Sequence, residues 1–431
     1  MVAAGAGFLL SFVLIFLRVP IAVALGITGF VGFGMLIGWK QSSIMLALTT
    51  RDAAMSYSMC VIPLFILMGN FIAGTGVSRE LYKAAQAFLG GRRGGLASAT
   101  VWSCGGFAMV CGSSVATVVT MGKVALPSMR SFQYKDSLSA ATIAAGATLG
   151  IIIPPSVLLV IYGIMTETHI GKLYAAALVP GALGILGYVA AVKWTVWRDP
   201  ASAPSAVKSS RQERYEALLS VWPVALLFAL VLGGIYSGIF TATEAAGIGA
   251  FGAFCLALAR RRLTKQVLYD ILLDSAQSTA VIFGLMIGAL IFTEFLNYTG
   301  AHTALLSFVQ DSGFSPFMVI IVICVIYIIL GALMEELSMM LLTVPLFFPI
   351  VTGLGYDPVW FGVLVIVLCE LGMIAPPVGV NLFVVRSFAP DIPITTVVRG
   401  IGPFVAADII RVFVIASFPI LSLYLPALFF D

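Results

Sequence analysis

Charge is what this sequence has least of. Lys, Arg, Asp and Glu make up only 10% of its 431 residues, and histidine occurs twice. Soluble domains carry about 25% charge, because polar side chains must cover an apolar interior. A chain with 61% hydrophobic residues, a further 43 glycines and a mean hydropathy of +1.10 cannot be covered in that way. A soluble enzyme, a nucleic-acid binder and a disordered chain are excluded, and a net charge of +4 is no footprint for a polyanion. The six cysteines lie in apolar stretches without a CxxC pair and read as small packing residues. His169 and His302 stand alone in polar connections, so no histidine-based metal or acid–base centre is expected. Neither GxxxxGK[ST] nor a GxGxxG after a strand occurs, so nothing points to ATP. The N-terminus lacks a basic leader region and a cleavage site, and reads as a retained first span.

What is present is a series of long apolar runs. About 20 apolar residues cross a bilayer as a helix, and the candidate crossings are 2–17, 19–38, 55–75, 137–165, 173–196, 217–236, 243–259, 276–296, 358–388 and 401–426. Two further pairs of arms are shorter, 96–111 with 115–129 and 316–332 with 337–352. Their connections, Gly112-Ser113-Ser114 and Met334-Glu335-Glu336, are too short for extramembrane loops. Both pairs are expected to be re-entrant hairpins, about 96–129 and 316–352, whose tips stop within the membrane. With the N-terminus outside, 18 of the 23 Lys and Arg fall on the cytoplasmic side. Only Lys40, Arg51 and Lys172 fall outside, and Lys123 and Arg411 lie within hydrophobic stretches. That positive-inside bias places both termini outside. Segments 78–90 and 263–275 are amphipathic, TATEAA (241–246) resembles a helix cap, and 198–216 reads as a cytoplasmic tether.

The tether separates two similar halves, 1–197 and 217–431. A shift of 222 residues places Pro127 on Pro349, Tyr134 on Tyr356, Leu149-Gly150 on Leu371-Gly372 and Pro154-Pro155 on Pro376-Pro377. Charge placement orients the halves oppositely, and an inverted repeat is a signature of secondary transporters with a site near the midplane.

Chemistry is expected at the repeated breaks. A proline has no N–H for the carbonyl four residues earlier, so Pro154 and Pro155 free the carbonyls of Gly150 and Ile151. Pro376 and Pro377 likewise free those of Gly372 and Met373. Bare carbonyls are costly in a membrane, and a hard cation such as Na⁺ is one solution; a kink satisfied by Ser, Thr or water is another. The tips add Ser113, Ser114 and Thr117 in the first half and Glu335, Glu336 and Ser338 in the second. Glu370 falls on the position of Thr148. A carboxylate at bilayer depth costs roughly 2.5–3.5 kcal/mol, so either Glu335 or Glu370 helps neutralise a cation, or Glu335 and Glu336 line a water-filled vestibule while Glu370 is protonated or capped. Helix N-termini at tips and breaks favour an anion. Ser113, Ser114, Ser156 and Asn381 are typed to hydrogen-bond a carboxylate or sugar hydroxyl, and Pro155, Pro377 and Gly379 flank them.

Together, IPLFILMGN (62–70), GSSVATVVTMGKVALPSM (112–129), LGIIIPPS (149–156), TATEAA, TVPLFFPI (343–350) and LGMIAPPVGVNLFV (371–384) resemble the large membrane (M) subunit of tripartite ATP-independent periplasmic (TRAP) transporters. The resemblance implies an all-α polytopic membrane protein of the ion-transporter superfamily, with an elevator-type transport domain carrying two hairpins and two broken helices on a static scaffold. It implies residence in a bacterial or archaeal inner membrane and two or more coupled Na⁺ ions with no organic cofactor. A separate small membrane (Q) subunit, a soluble periplasmic substrate-binding (P) protein and an organic acid substrate complete the expected system. One Na⁺ site is then expected at Ser113, Ser114 and the Gly150–Pro154 break including Ile151. The other falls at the Glu335–Ser338 tip and the Gly372–Pro376 break including Met373, with Glu370 counted among the ligands. The family often has Asp at the second tip, where this chain has Leu333-Met334-Glu335-Glu336. The competing readings are a stand-alone Na⁺- or H⁺-coupled carboxylate symporter of the same superfamily, an intramembrane enzyme and a channel. The enzyme lacks any recognisable nucleophile or zinc motif, and broken helices suit occlusion better than a continuous pore.

Overall fold

The computed structural model describes residues 2–205 and 209–430. Among them there is no strand; every regular element is helical. Three helices, α1 (Val2–Phe16), α2 (Ile21–Ile37) and α3 (Trp39–Met55), lead through a 3₁₀ turn to α4 (Val61–Gly74) and α5 (Val77–Leu89). The arms α6 (Gly95–Cys111) and α7 (Ser114–Ser131) form the first hairpin. They are followed by α8 (Asp136–Ile152), α9 (Val157–Met165) and α10 (Ile170–Arg198). After the linker come α11 (Arg211–Tyr236), α12 (Ala242–Ala259), α13 (Lys265–Thr299) and α14 (Ala301–Asp311). The arms α15 (Pro316–Gly331) and α16 (Glu336–Gly353) make the second hairpin. The chain ends with α17 (Pro358–Ile374), α18 (Val380–Phe388), α19 (Ile394–Ser417) and α20 (Ile420–Phe430).

A helix apolar all round belongs in the interior, and two such helices form the centre. In α8 every residue from Leu138 to Ile152 is buried, and in α17 every residue from Val359 to Ile374. The small side chains of α8 (Ala140, Ala141, Ala144, Ala145, Ala147) let neighbours approach, as membrane helices require. Each hairpin packs on one of these helices, α6 and α7 on α8, α15 and α16 on α17, while α10 and α19 flank both. A second group, with α13 against α2 and α12 against α4, exposes large apolar side chains such as Leu226, Leu230, Phe251 and Val281. A belt of that kind is wetted by lipid.

Among the described residues, seven helices are long and apolar enough to cross a bilayer, eight if the bent pair α8–α9 is one span. This polytopic helical architecture matches the expected class, but the spans differ from the ten expected crossings. The runs 2–17 and 19–38 give helices of 15 and 17 residues, and 358–388 is divided between α17 and α18. The second arm of the second hairpin, 18 residues long, reaches crossing length. Segment 39–55 is helical, as is 301–311. The amphipathic stretch 263–275 continues without a break into 276–296 as the 35-residue α13, about 52 Å long, because no proline interrupts the junction. The run 401–426 is broken at Pro419, whose missing N–H ends α19.

The tether is shorter than 198–216. Its start is pinned, with Gly94 N–H donating to Ala203 O (3.3 Å) and Lys135 N–H to Ser202 O (3.0 Å). Ala203 is buried, and Lys135 Nζ meets Asp199 at 2.5 Å. The chain resumes at the Ser210–Glu213 capping box of α11. The middle of the expected tether, 206–208 with Lys208, lies outside the described residues.

Candidate functional site

The first tip forms because Gly112 closes α6 in the left-handed region (φ 60°), where a side chain is strained, and Ser113 then caps α7. Ser113 Oγ accepts the Ala116 N–H at 3.4 Å, and Thr117 donates to Ser113 O at 2.7 Å. Beside this tip runs the break Ile153-Pro154-Pro155-Ser156, with a cis Pro154–Pro155 peptide and a 40° bend between α8 and α9. Gly150 is needed for the contact: a Cβ there would lie 2.8 Å from Ala108 Cβ of α6. The carbonyl of Ile151, expected to be free, is not. Ser156 Oγ donates to it while accepting the Leu159 N–H at 3.4 Å as the cap of α9. A hydroxyl has one proton to give, so Ser156 closes the break instead of presenting a donor to a ligand. Gly150 O, opposite Pro154, still lacks the helical partner.

Asn381, in the first turn of α18, reaches into this half from the other end of the chain. It is fully buried, and its Nδ2 donates to Ser114 Oγ (2.6 Å) and Ala144 O (3.0 Å). The Ala144 carbonyl requires a donor, which fixes the orientation of the amide. Asn381 Oδ1 is left buried without a partner among the described residues. Gly112 lies against Val157, 3.5 Å from a Cβ built on the glycine. The N-termini of α7, α9 and α18 therefore converge on one spot, and their unsatisfied N–H groups make it favourable for an anion.

The second tip and break are arranged alike but lie more open. Ser338, buried, donates to Glu335 Oε1 at 2.9 Å, while Glu335 itself is exposed and Glu336 half-buried in the first turn of α16. Gly331 and Gly372 touch directly: a Cβ on Gly372 would lie 2.6 Å from Gly331 Cα. The Gly150–Ala108 approach thus has a counterpart in the second half, with Gly372 lying 222 residues after Gly150. Pro376–Pro377 is also a cis peptide. Where Pro154, Pro155 and Ser156 are buried, Pro376, Pro377 and Val378 are exposed, and Gly379 turns the chain into α18 at φ 49°. Pro376 and Pro377 offer no N–H to the carbonyls of Gly372 and Met373.

Glu370 is not brought to either tip. It is fully buried and ion-paired with Arg411 Nη2. The same Nη2 lies 2.9 Å from Asp408 Oδ1, Tyr188 OH donates to Asp408 Oδ2 at 2.6 Å, and Thr148 Oγ1 lies 3.0 Å from Tyr188 OH. A guanidinium thus occupies the carboxylate edge where a cation ligand was expected. This chain of side chains links Thr148 and Glu370, each two residues ahead of the glycine that precedes a break. Sequence reasoning missed Asp408 and Tyr188 and left Arg411 unpaired. The available signal was Asp408 and Arg411 at i, i+3 in an apolar helix, since charges at such depth pair with one another.

The residues present fit a hard cation. The first break leaves the Gly150 carbonyl and the second those of Gly372 and Met373, and each tip adds hydroxyl or carboxylate oxygens, the ligand type such ions take. The orphaned Asn381 Oδ1 is a further acceptor beside the first tip.

Comparison with known proteins agrees with this architecture. The model of the DctM component of tripartite ATP-independent periplasmic transporters matches residues 8–421. The C4-dicarboxylate TRAP transporter large permease protein DctM of Pseudomonas aeruginosa is 36% identical over 405 residues, covering 94% of this chain and 93% of that protein. The sialic acid TRAP transporter large permease protein SiaM of Vibrio cholerae is 31% identical, with 87% of each chain covered. In fold alone, the chain is similar to the Alcanivorax borkumensis YdaH transporter, at TM-score 0.61, 15% identity and 89% coverage of both chains. The family model and these relatives match over nearly the whole length, and the chain belongs to the family of TRAP transporter large permease (M) subunits, which are integral membrane transport proteins and not enzymes.

Proposed function

We propose that this subunit carries an organic acid anion inward in exchange for the free energy of a Na⁺ gradient. In this reading a small membrane subunit stands beside it and a periplasmic binding protein delivers the substrate. The observation that carries the reading is the twofold occurrence of one arrangement, a hairpin tip lodged against a Pro-Pro break behind a glycine contact. Na⁺ is assigned to Ser113, Ser114 and the Gly150 carbonyl in one half, and to Glu335, Ser338 and the carbonyls of Gly372 and Met373 in the other. A bound cation supplies the positive charge that lets an anion enter an apolar interior. The N-termini of α7, α9 and α18 then receive its carboxylate, with Ser114 and Asn381 as hydrogen-bonding groups and Pro155, Pro377 and Gly379 around them. The inverted repeat presents equivalent half-sites to both sides, which suits an elevator motion of α6–α10 and α15–α19 against the remaining helices, with both termini outside.

Relatives named for C4-dicarboxylate and sialic acid support the substrate class. The test is uptake of a radiolabelled C4-dicarboxylate or sialic acid into proteoliposomes holding this chain with its neighbouring small subunit and binding protein. Uptake that requires an inward Na⁺ gradient and all three proteins is expected. Uptake that continues undiminished without Na⁺, or by this chain alone, overturns the proposal.

A further inference from the structure

Away from the breaks, a cavity of about 360 Å³ opens where the start of α5, the hairpin arm α7 and the turn between α12 and α13 meet. Its walls carry Arg79, Lys83 and Arg262, all exposed and with no ion-pair partner among the described residues. Glu80 also lines it, but Arg260 neutralises that carboxylate at 2.7 Å. Three positive charges are therefore uncompensated. Two further features turn toward an anion. Gly76 leaves the N-terminus of α5, a 13-residue helix, without a side-chain cap. Ser78, in its first turn, is only 6% exposed, and its hydroxyl has no hydrogen-bond partner among the described residues.

The depth of the cavity identifies the source of the anion. Arg260, which holds Glu80, also donates to Ser220 O of α11 at 3.0 Å. Around Ser220 the helix exposes Tyr215, Leu219 and Trp222, with Leu226 and Leu230 following along the same helix. Aromatic residues at one level with aliphatic ones beyond mark the boundary between headgroups and acyl chains. At that boundary the abundant oxyanion is a phosphodiester, and guanidinium groups match its oxygens in geometry and charge. A cavity of this size also holds the glycerol unit of a lipid.

We propose that this cavity binds the phosphate of an anionic phospholipid, with Arg79, Lys83, Arg262 and the first turn of α5 as its ligands. Val124 of the hairpin arm forms part of the wall, so the lipid bridges the first hairpin and the α12–α13 turn.

The test uses the full chain purified in detergent and reconstituted in nanodiscs of phosphatidylcholine with increasing phosphatidylglycerol. Retained phosphatidylglycerol is counted by native mass spectrometry. Removing each cation should weaken retention about fivefold, and Arg79→Gln/Lys83→Gln/Arg262→Gln together about a hundredfold. The Arg92→Gln/Arg93→Gln protein, altered at two other exposed cations, should retain lipid as the unmodified chain does. These substitutions are at exposed positions, and an unchanged melting temperature verifies that the variants fold. Equal retention by the triple variant and the unmodified chain, or equal loss in the Arg92/Arg93 variant, overturns the site. Displacement of the lipid by millimolar inorganic phosphate or glycerol phosphate, at the same concentration dependence as by lipid, overturns the lipid as the source of the anion.

Discussion

Replacement of Arg411 by Leu tests whether the buried polar chain is a charge-balanced unit. Glu370, Asp408 and Arg411 are 0%, 1% and 4% exposed, so water screens none of them. The guanidinium meets both carboxylates, and Tyr188 donates to the second. Its removal strands two carboxylates in an apolar interior. Breaking a buried pair in that way costs about 3–5 kcal/mol, or about two to four orders of magnitude in the unfolded fraction. Removing all the charge is different, because the desolvation cost disappears along with the attraction. Arg411→Leu/Glu370→Gln/Asp408→Asn should therefore recover most of the loss, with the amide oxygen introduced at position 408 still accepting from Tyr188. The measurement is denaturation of each variant in detergent micelles, followed by intrinsic fluorescence and compared at one denaturant composition. Gly184→Ala provides an independent perturbation of the same group. A Cβ at 184 would lie 2.0 Å from Arg411 Nη1, and the guanidinium, held by two carboxylates, cannot swing aside without losing one of them. An Arg411→Leu protein as stable as the parent, or a triple variant less stable than the single one, would refute the charge-balance account.

Three further outcomes are expected. Asn381→Ala removes the donor shared by Ser114 Oγ and the Ala144 carbonyl and detaches α18 from the first tip; it should cost roughly 1–3 kcal/mol and abolish uptake in proteoliposomes, whereas uptake at the parental rate would remove Asn381 from the site. Gly372→Ala drives a Cβ into the backbone of Gly331 and should cost about 1–3 kcal/mol with loss of transport, while Gly402→Ala, where nothing lies within 4 Å, should leave both unchanged. At the membrane surface, the hydrogen bond from Arg130 (2.5 Å) holds the carboxyl of Asp391 below the ordinary carboxylate range. A lowered folded value means that the stabilisation is complete above the unfolded pKa, about 3.9 for Asp, and disappears as pH falls through the lowered value. Melting temperatures of the parent and Asp391→Asn should differ at neutral pH and converge in acid; a constant gap at all pH values would exclude the Asp391 charge as its origin. High salt should shrink the gap.

Much of the site was legible because its causes are local. A proline removes an N–H wherever the chain runs, so the breaks at Pro154-Pro155 and Pro376-Pro377 could be placed by inspection. The tight turns of the hairpins were placed from the sequence, but the arm α16 is long enough to cross a bilayer, which its expected shortness had missed. The 222-residue offset that aligned the two Pro-Pro pairs also relates Gly150 and Gly372, each pressed on the hairpin arm beside it. What failed to show were interactions that depend on a partner far away in the chain. Ser156 is of the right type for a ligand and is occupied by Ile151 O. Glu370 suits a cation and is held by Arg411, 41 residues on.

The sequence by itself determined the solvent of this protein, its helical class, its breaks and its family. Each of those rests on composition, on the period of one segment, or on a missing donor, and none needs a neighbour. Only the tertiary structure decided which break is sealed and which is open, which carboxylate is already paired, and which helix N-termini converge. Asn381 meets Ser114 across 267 residues, a pairing that no local rule specifies. In an apolar medium a buried polar group must find some partner; the chain supplies several of the right type, and packing selects among them.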